Sequence, residues 1–417
     1  MRRVLRVRQR PTVIVALGAI LALGGCGSSG GSSATVGDGP GPEKFVLPMV
    51  AAGFRTSAWL GRDGNVYTWG DNASGELGDG GTTRRVTPTA VRGLRPTDKA
   101  QDITLGESHL LLVTTDGRVL AWGHNKSGQL GDGGTVDQPV PHEVSGLHDI
   151  RAVAAGASFS MALGANGAVR AWGNNQSGQL GDGNAPIDHG SPEIVHGLGP
   201  GSGVARIAAG LSFGLVLKRD GAVLAWGNGT SGQLGIGPTG KVSAPTQVRG
   251  LGPGSGVVAI EAGGSFALAL KADGTVLAWG NNKSGQLGDG TAPKDHPTPV
   301  QVRGLGPGSG VVAIAAGGTS ALALKRDGTV LAWGNNQSGQ LGDGTAPTDH
   351  STPVQVVSLG QGGRITAIAS GGSQSLATRS DGSTFAWGNN SSGQLGDGTA
   401  PADHSTPVVV SLPRGVR

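Results

Sequence analysis

The chain is poor in cysteine, aromatics and charge. One cysteine, Cys26, in 417 residues excludes an intramolecular disulfide, so the fold must rest on its core alone. Aromatic residues make up 4%, with a single tyrosine, Tyr67. The apolar stretch at residues 13–23 is too short to cross a bilayer as a mature helix. Charged residues are 14%, and the formal net charge of +4 is uneven. Five of the 32 Lys and Arg residues (Arg2, Arg3, Arg6, Arg8, Arg10) lie within the first 25 residues, which hold no acid, so the remaining 27 face 28 acids. The basic balance therefore gives no reason to expect nucleic acid, and no Lys/Arg patch interleaved with aromatics is present. No nucleophile has an unrepeated context. The glycines open hairpins, not the helices that phosphate-cradling loops require. Neither an enzyme nor a cofactor is expected.

What the chain has in abundance is glycine, 80 residues, with 23 prolines. That composition is near the level of disordered chains, but the glycines recur in register. A Trp-Gly pair stands at Trp69, Trp122, Trp172, Trp226, Trp279, Trp333 and Trp387, with spacings of 53, 50, 54, 53, 54 and 54 residues. A fixed period near 50 marks one supersecondary unit copied many times. In the copy from Pro299 to Gly342, four short runs are bounded by Gly or Pro: Val300–Val302, Val311–Gly317, Ala321–Lys325 and Thr329–Trp333. Runs of that length read as strands. Asp327-Gly328 between the third and fourth is a hairpin signal, because its residues tolerate positive φ.

Each copy is therefore expected to be a four-stranded antiparallel sheet, and the whole an all-β, seven-bladed propeller. The small residues of the second run place it nearest the crowded axis. The chain enters the repeat at Phe45–Gly53, a second run, and ends at Thr406–Leu412, a first run. This predicts closure by the C-terminal strand joining the first blade, which would remove an open edge.

The N-terminus reads separately. A basic segment, the apolar core at 13–23 and then Leu23-Gly24-Gly25-Cys26 have the form of a secretory signal ending in a lipobox. This predicts a signal peptide at 1–25, a lipidated Cys26 followed by a Gly/Ser tether over 26–42, and the propeller over 43–417. Such a protein would be extracytoplasmic, monomeric and held on a cell membrane by its acyl chains.

The repeat unit resembles those of the regulator of chromosome condensation family: a strand ending Ala-Ala-Gly, an alternating strand, an Asp-Gly hairpin, then Trp-Gly-x-Asn-x-x-Gly-Gln-Leu-Gly. The resemblance covers residues 45–412 and all seven copies. It implies a propeller whose functions vary with the side chains added to a common frame. Its implied roles run from nucleotide exchange on a small GTPase to inhibition of a secreted β-lactamase. Seven of the eight tryptophans belong to the repeat, and only Trp59 is extra.

Strand direction places the turns after Ala-Ala-Gly and the long loops after Trp-Gly on one face. The hairpins and the Gly-Leu-Gly-Pro-Gly-Ser-Gly linkers fall on the other. The copies disagree at the turns after Ala-Ala-Gly, so Phe54, Arg55, Glu107, His109, Phe159, Phe213 and Phe266 are the candidate contacts for a protein or cell-envelope polymer. Asp-His pairs recur in the outer loops at Asp188-His189, Asp295-His296, Asp349-His350 and Asp403-His404. Each loop offers one His, so turn chemistry is expected there and no metal site is assigned, a weak loop-bound cation being the alternative.

Overall fold

In the computed structural model, which describes residues 49–61, 64–359 and 364–413, the recurring runs become 28 strands, β1 to β28 in chain order. They form seven four-stranded antiparallel sheets, each from four consecutive strands. The sixth blade shows the logic. Its strands are β21 (Val311–Ala316), β22 (Ser320–Lys325), β23 (Val330–Gly334) and β24 (His350–Gln355). At the β22–β23 hairpin, Lys325 N–H donates to Thr329 O at 2.8 Å, and the Asp327 carboxylate accepts from Thr329 N–H at 2.9 Å. The innermost strands are rich in alanine because seven of them converge on the axis. The outermost strands each carry proline, among them Pro88, Pro192, Pro245, Pro353 and Pro407. Proline removes a ladder donor and protects an edge from pairing with another chain.

Seven apolar clusters make the core, one at each joint between blades. Every Trp of the repeat is fully buried at such a joint. Its Nε1–H donates to a backbone carbonyl of the preceding blade at 2.8–3.0 Å: Gln394, Glu76, Gln129, Gln179, Gln233, Gln286 and Gln340 for Trp69 through Trp387 in order. The Trp-Gly and Gln-Leu-Gly elements are thus two halves of one inter-blade staple. The glycine of the second half is forced: Gly342 has φ +67°, and a Cβ there would lie 2.6 Å from Trp387 Nε1. An Asn holds the loop between the halves. Asn336 donates to Asp343 at 3.1 Å and accepts from Leu341 N–H at 3.1 Å.

The closure differs from the expectation. The C-terminal strand β28 (His404–Val409) pairs with β27 (Thr384–Gly388) inside the seventh blade. The first blade is complete from β1 (Met49–Ala52) to β4 (Arg85–Ala90) without it. The blade begins one strand later than the sequence runs suggest: the run opening with Pro299 is the outer strand of the fifth blade, not the first strand of the sixth. Among the described residues no strand is exchanged, and the ring closes by packing, side-chain hydrogen bonds and loop backbone bonds such as Gly372 N–H to Gly53 O and Gly398 N–H to Val86 O, both at 3.0 Å. Residues 1–48, which hold the signal, Cys26, the tether and the entry at Phe45, lie outside the described residues.

Candidate functional site

The two faces are arranged as strand direction predicts. Asn335 N–H donates to Thr319 O at 2.9 Å, putting the loop after Trp-Gly beside the turn after Ala-Ala-Gly. On the other face, Gly308 N–H donates to Asp273 O at 2.8 Å and Ser309 Oγ–H to Gly274 O at 2.7 Å, tying linker to hairpin.

The seven turns encircle the channel mouth and bond to one another through the backbone. Donors and acceptors run Phe54 N–H to Gly106 O, Ala157 to Leu211, Leu211 to Gly264, Gly264 to Gly317, Gly318 to Gly371 and Gly372 to Gly53, at 2.8–3.3 Å. What rises above this ring is small. Arg55 and Glu107 are exposed, as are Phe54 at 38% and Leu211 at 37%. The Arg55 guanidinium lies 6.0 Å from the Phe54 ring centroid. Leu211 was not among the sequence candidates, although it breaks the repeat as plainly as Phe54 does.

The other four candidates are corrected by the structure. Phe159, Phe213, Phe266 and His109 are wholly buried. Each opens the second strand of its blade and is turned down between blades by strand alternation. The Phe rings lie on the glycine of their own turn, where a Cβ on Gly210 would meet Phe213 Cε1 at 2.0 Å. His109 Nε2 is 3.0 Å from Ser160 Oγ, whose proton goes to Gln129 O at 2.7 Å. The hydroxyl therefore accepts from His109, which fixes the neutral tautomer protonated on Nε2. Burial pushes the His109 pKa down to about 3, with a smaller push from His124. In the seventh blade the same position is Gln374, donating to Gly53 O at 3.0 Å and Thr56 O at 3.1 Å. These residues plug the joints and differ because the joints differ.

The outer loops pair their own side chains. Each loop His contacts the Asp seven residues before it: Asp182–His189, Asp289–His296 and Asp343–His350 at 3.0 Å, and Asp397–His404 at 3.1 Å. The adjacent Asp349 accepts from Asn336 N–H at 2.8 Å. Among the described residues, no group of three or more His, Cys, Asp or Glu is placed to hold a metal.

Beneath the mouth lies a channel of about 200 Å³ lined by the seven inner strands. Four charged residues face it: Asp102 on β5 (Ala100–Leu105), Arg151 on β9 (Ile150–Ala155), Arg206 on β13 (Val204–Ala209) and Glu261 on β17 (Val257–Ala262). The sequence reading passed over them. Their signal was available, because each stands where sister strands have a small or aliphatic residue: Ala313 for Asp102 and Arg206, Ala315 for Glu261, Val312 for Arg151. Asp102 accepts from Val153 N–H at 3.2 Å, while its Oδ1 has no hydrogen-bond partner, and burial raises its pKa to about 6. Burial raises Glu261 to about 8, with Arg206 opposing. Arg151 Nη2 donates to Val204 O at 2.8 Å and Ala205 O at 3.1 Å, and its Nε has no partner.

With this geometry in place, comparisons with known proteins fit the repeat. A family model described as an RCC1-like domain matches residues 18–308. Models of the regulator of chromosome condensation (RCC1) repeat match 311–340, 327–378 and 381–417. Human E3 ubiquitin-protein ligase HERC2 is 34% identical over 335 residues, which is 79% of this chain but 7% of that protein. The ultraviolet-B receptor UVR8 of Arabidopsis thaliana is 31% identical over 365 residues, covering 88% of this chain and 70% of that one. Among solved structures, human WBSCR16 superposes with a TM-score of 0.72 at 26% identity, covering 84% of this chain and 94% of its own. Yeast RCC1 (Prp20), solved bound to Kap60, superposes at 0.73 with 24% identity, covering 84% of each chain, and speaks to the fold alone.

Proposed function

The chain belongs to the RCC1 repeat family, and on that premise we propose that it is a binding scaffold held on the outer side of a cell membrane by a lipid on Cys26. Its variable-turn face engages a protein or cell-envelope polymer, and the chain itself performs no chemistry. The observation that carries this reading is the contrast within each blade. The staple and hairpin repeat almost unchanged, while Phe54, Arg55, Glu107 and Leu211 differ from their counterparts and stand exposed around one mouth. An aromatic and an aliphatic side chain flanked by opposite charges have the composition of a contact patch. The ligase activity of HERC2 belongs to a protein of which this chain spans 7%, and it is not carried over. The lipid reading rests on the order of basic segment, apolar core and lone cysteine.

The test is site-specific photo-crosslinking in intact cells. A cross-linker at Phe54 or Leu211 is expected to trap a discrete partner, whereas one at Ser309 on the opposite face is not. Equal yields from the two faces would sink the assignment. Phe54→Ala should lower the yield at Leu211 with less than about 0.5 kcal/mol change in stability, as for most surface substitutions. Acyl mass on an N-terminal Cys26 of the mature chain tests the anchor separately.

A further inference from the structure

Charge is sorted between the two faces. In blades 4 to 7 the hairpins joining the second and third strands carry six cations, Lys218, Arg219, Lys271, Lys325, Arg326 and Arg379, against four aspartates. The long loops on the mouth side of the same blades carry the reverse, two lysines, Lys283 and Lys294, against six aspartates. The hairpin aspartates are used by the backbone. Asp220 accepts from Ala222 N–H at 3.0 Å, Asp273 from Thr275 N–H at 2.9 Å and Asp381 from Ser383 N–H at 2.8 Å, as Asp327 does from Thr329. The cations are not used in this way. Among the described residues, the ion pairs of this face are confined to Arg95, Arg118 and His148 at blades 2 and 3. Arg219 and Arg326 are exposed. The Lys218 and Lys325 stems run over the linkers, with Cε 3.7 and 3.8 Å from where a Cβ on Gly203 and Gly310 would sit. The chain also enters the propeller from this face. Met49 pairs with Leu60 beside the first hairpin, and Ala52 pairs with Ser57 beside the mouth, so β1 runs from the hairpin face up to the mouth.

We propose that the hairpin face of blades 4 to 7 docks on an anionic lipid surface, with the mouth turned away from that surface toward its partner. The orientation rests on the anchor reading; the affinity of the face for anionic lipid does not. Met49 stands 23 residues after Cys26. A flexible tether of that length has an r.m.s. reach of roughly 24–29 Å, which keeps the face it joins close to the bilayer. Each Lys or Arg near an anionic bilayer strengthens binding about fivefold, the equivalent of about 1 kcal/mol. No exposed large apolar side chain lies in these hairpins, so the attraction is electrostatic and fades over a Debye length, about 10 Å at 0.1 M salt. The hairpins also carry no aromatic on which bases could stack, which sets this face apart from a nucleic-acid groove.

The full chain carrying Cys26→Ser, which removes any acyl contribution, is sedimented with vesicles of phosphatidylcholine and of an equimolar phosphatidylcholine–phosphatidylglycerol mixture. Binding to the mixed vesicles should fall about tenfold or more in Arg219→Gln/Arg326→Gln. It should be unchanged in Lys283→Gln/Lys294→Gln, which removes the same charge from the mouth side. The basic segment at residues 2–10 is present in every variant and cancels in that comparison. Arg219→Lys/Arg326→Lys should bind as the unaltered chain does, because a lipid surface reads charge rather than the guanidinium fork. In the acylated chain on mixed vesicles, a fluorophore at Ala272→Cys, in a hairpin, should transfer energy to a headgroup acceptor more strongly than one at Thr348→Cys, in a mouth-side loop. The proposal is overturned if the two glutamine pairs lose binding equally, if the lysine pair binds as weakly as the glutamine pair, or if the two fluorophores transfer equally. A DNA duplex at equal phosphate concentration that displaces the chain through the same two arginines would also overturn it. Absence of acyl mass on Cys26 would end the anchor reading and leave the vesicle comparison standing, and a failed vesicle comparison would leave the anchor standing.

Discussion

Six of the seven blade joints are crossed by a covalent linker; the joint between blade 7 and blade 1 is not. All seven use the same Trp staple, and at the unlinked joint Trp69 donates to Gln394 O at 2.9 Å, as any other Trp does. The difference lies in what is added. At the position where blades 5, 6 and 7 offer Ala269, Ala323 and Ala377 to the preceding blade, blade 1 offers Trp59. Trp59 is fully buried and packs on Tyr67 with ring centroids 5.7 Å apart. Leu412, beyond the last strand, joins the same cluster. Gln374 adds hydrogen bonds to Gly53 O and Thr56 O, while the Ser57 Oγ bond to Gln394 O is one that Ser160 and Ser375 also make at linked joints. A joint with no tether must hold its two sides together by contacts alone, and at this one a tryptophan ring stands where blades 5, 6 and 7 have alanine.

Cutting the staple on each kind of joint tests that contrast most sharply. Trp69→Ala and Trp279→Ala remove the same buried ring and the same hydrogen bond, and each should cost about 3–5 kcal/mol. The linker across the joint before blade 5 keeps its two sides at high effective concentration, so Trp279→Ala should leave a cooperative transition. Trp69→Ala should lower the urea midpoint further and broaden the transition as the ring opens. Equal midpoints with equal slopes would remove the special status of the unlinked joint. A smaller effect is expected from Gln374→Ala. The substitution leaves the buried Gly53 and Thr56 carbonyls without their side-chain donor, at about 1–3 kcal/mol. A loss well below that range would mean that water replaces the amide.

The same residues show how much could be read before the structure. The period, the strand runs and the Asp-Gly hairpins carry the blade count and the four-strand sheet, because backbone geometry repeats with the sequence. Closure was misread because a repeat has no intrinsic start: the Pro299 run opens one frame and ends the other, and only pairing decides. Trp59 was recognised as extra, but nothing local says that it faces a joint without a linker. The contact candidates failed for a related reason. Difference between copies was equated with exposure, which is correct for Phe54 and Arg55 and wrong for Phe213 and His109. A buried plug varies whenever its neighbours vary. The channel charges were legible in the aligned inner strands, but the general smallness of those strands masked four exceptions.

His109 gives the subtlest comparison, because it plugs the joint between blades 2 and 3 with a titratable ring where blades 3, 4 and 5 use Phe. Its folded pKa, about 3, lies below the ordinary value of 6.5. As pH falls through 6.5 the unfolded chain takes up a proton that the folded chain refuses until about 3. The His109 contribution is therefore fully present above 6.5 and is lost progressively between 6.5 and 3, by at most about 1.4 kcal/mol per pH unit. Glu261 and Asp102 act in the opposite sense: their folded values of about 8 and about 6 exceed 4.5 and 3.8, so acidification favours the folded chain in those windows. Near pH 5 the two carboxylates outweigh the one histidine, so a single-chain measurement would hide it. Comparing unfolding free energies of the unaltered chain and His109→Phe from pH 8 to pH 4 isolates it. The carboxylate contributions cancel in that difference, so the Phe variant should gain relative stability as pH falls below 6.5. A difference that stays flat across this range would mean that His109 is protonated in the folded ring, with Ser160 accepting from an imidazolium rather than from the neutral Nε2–H.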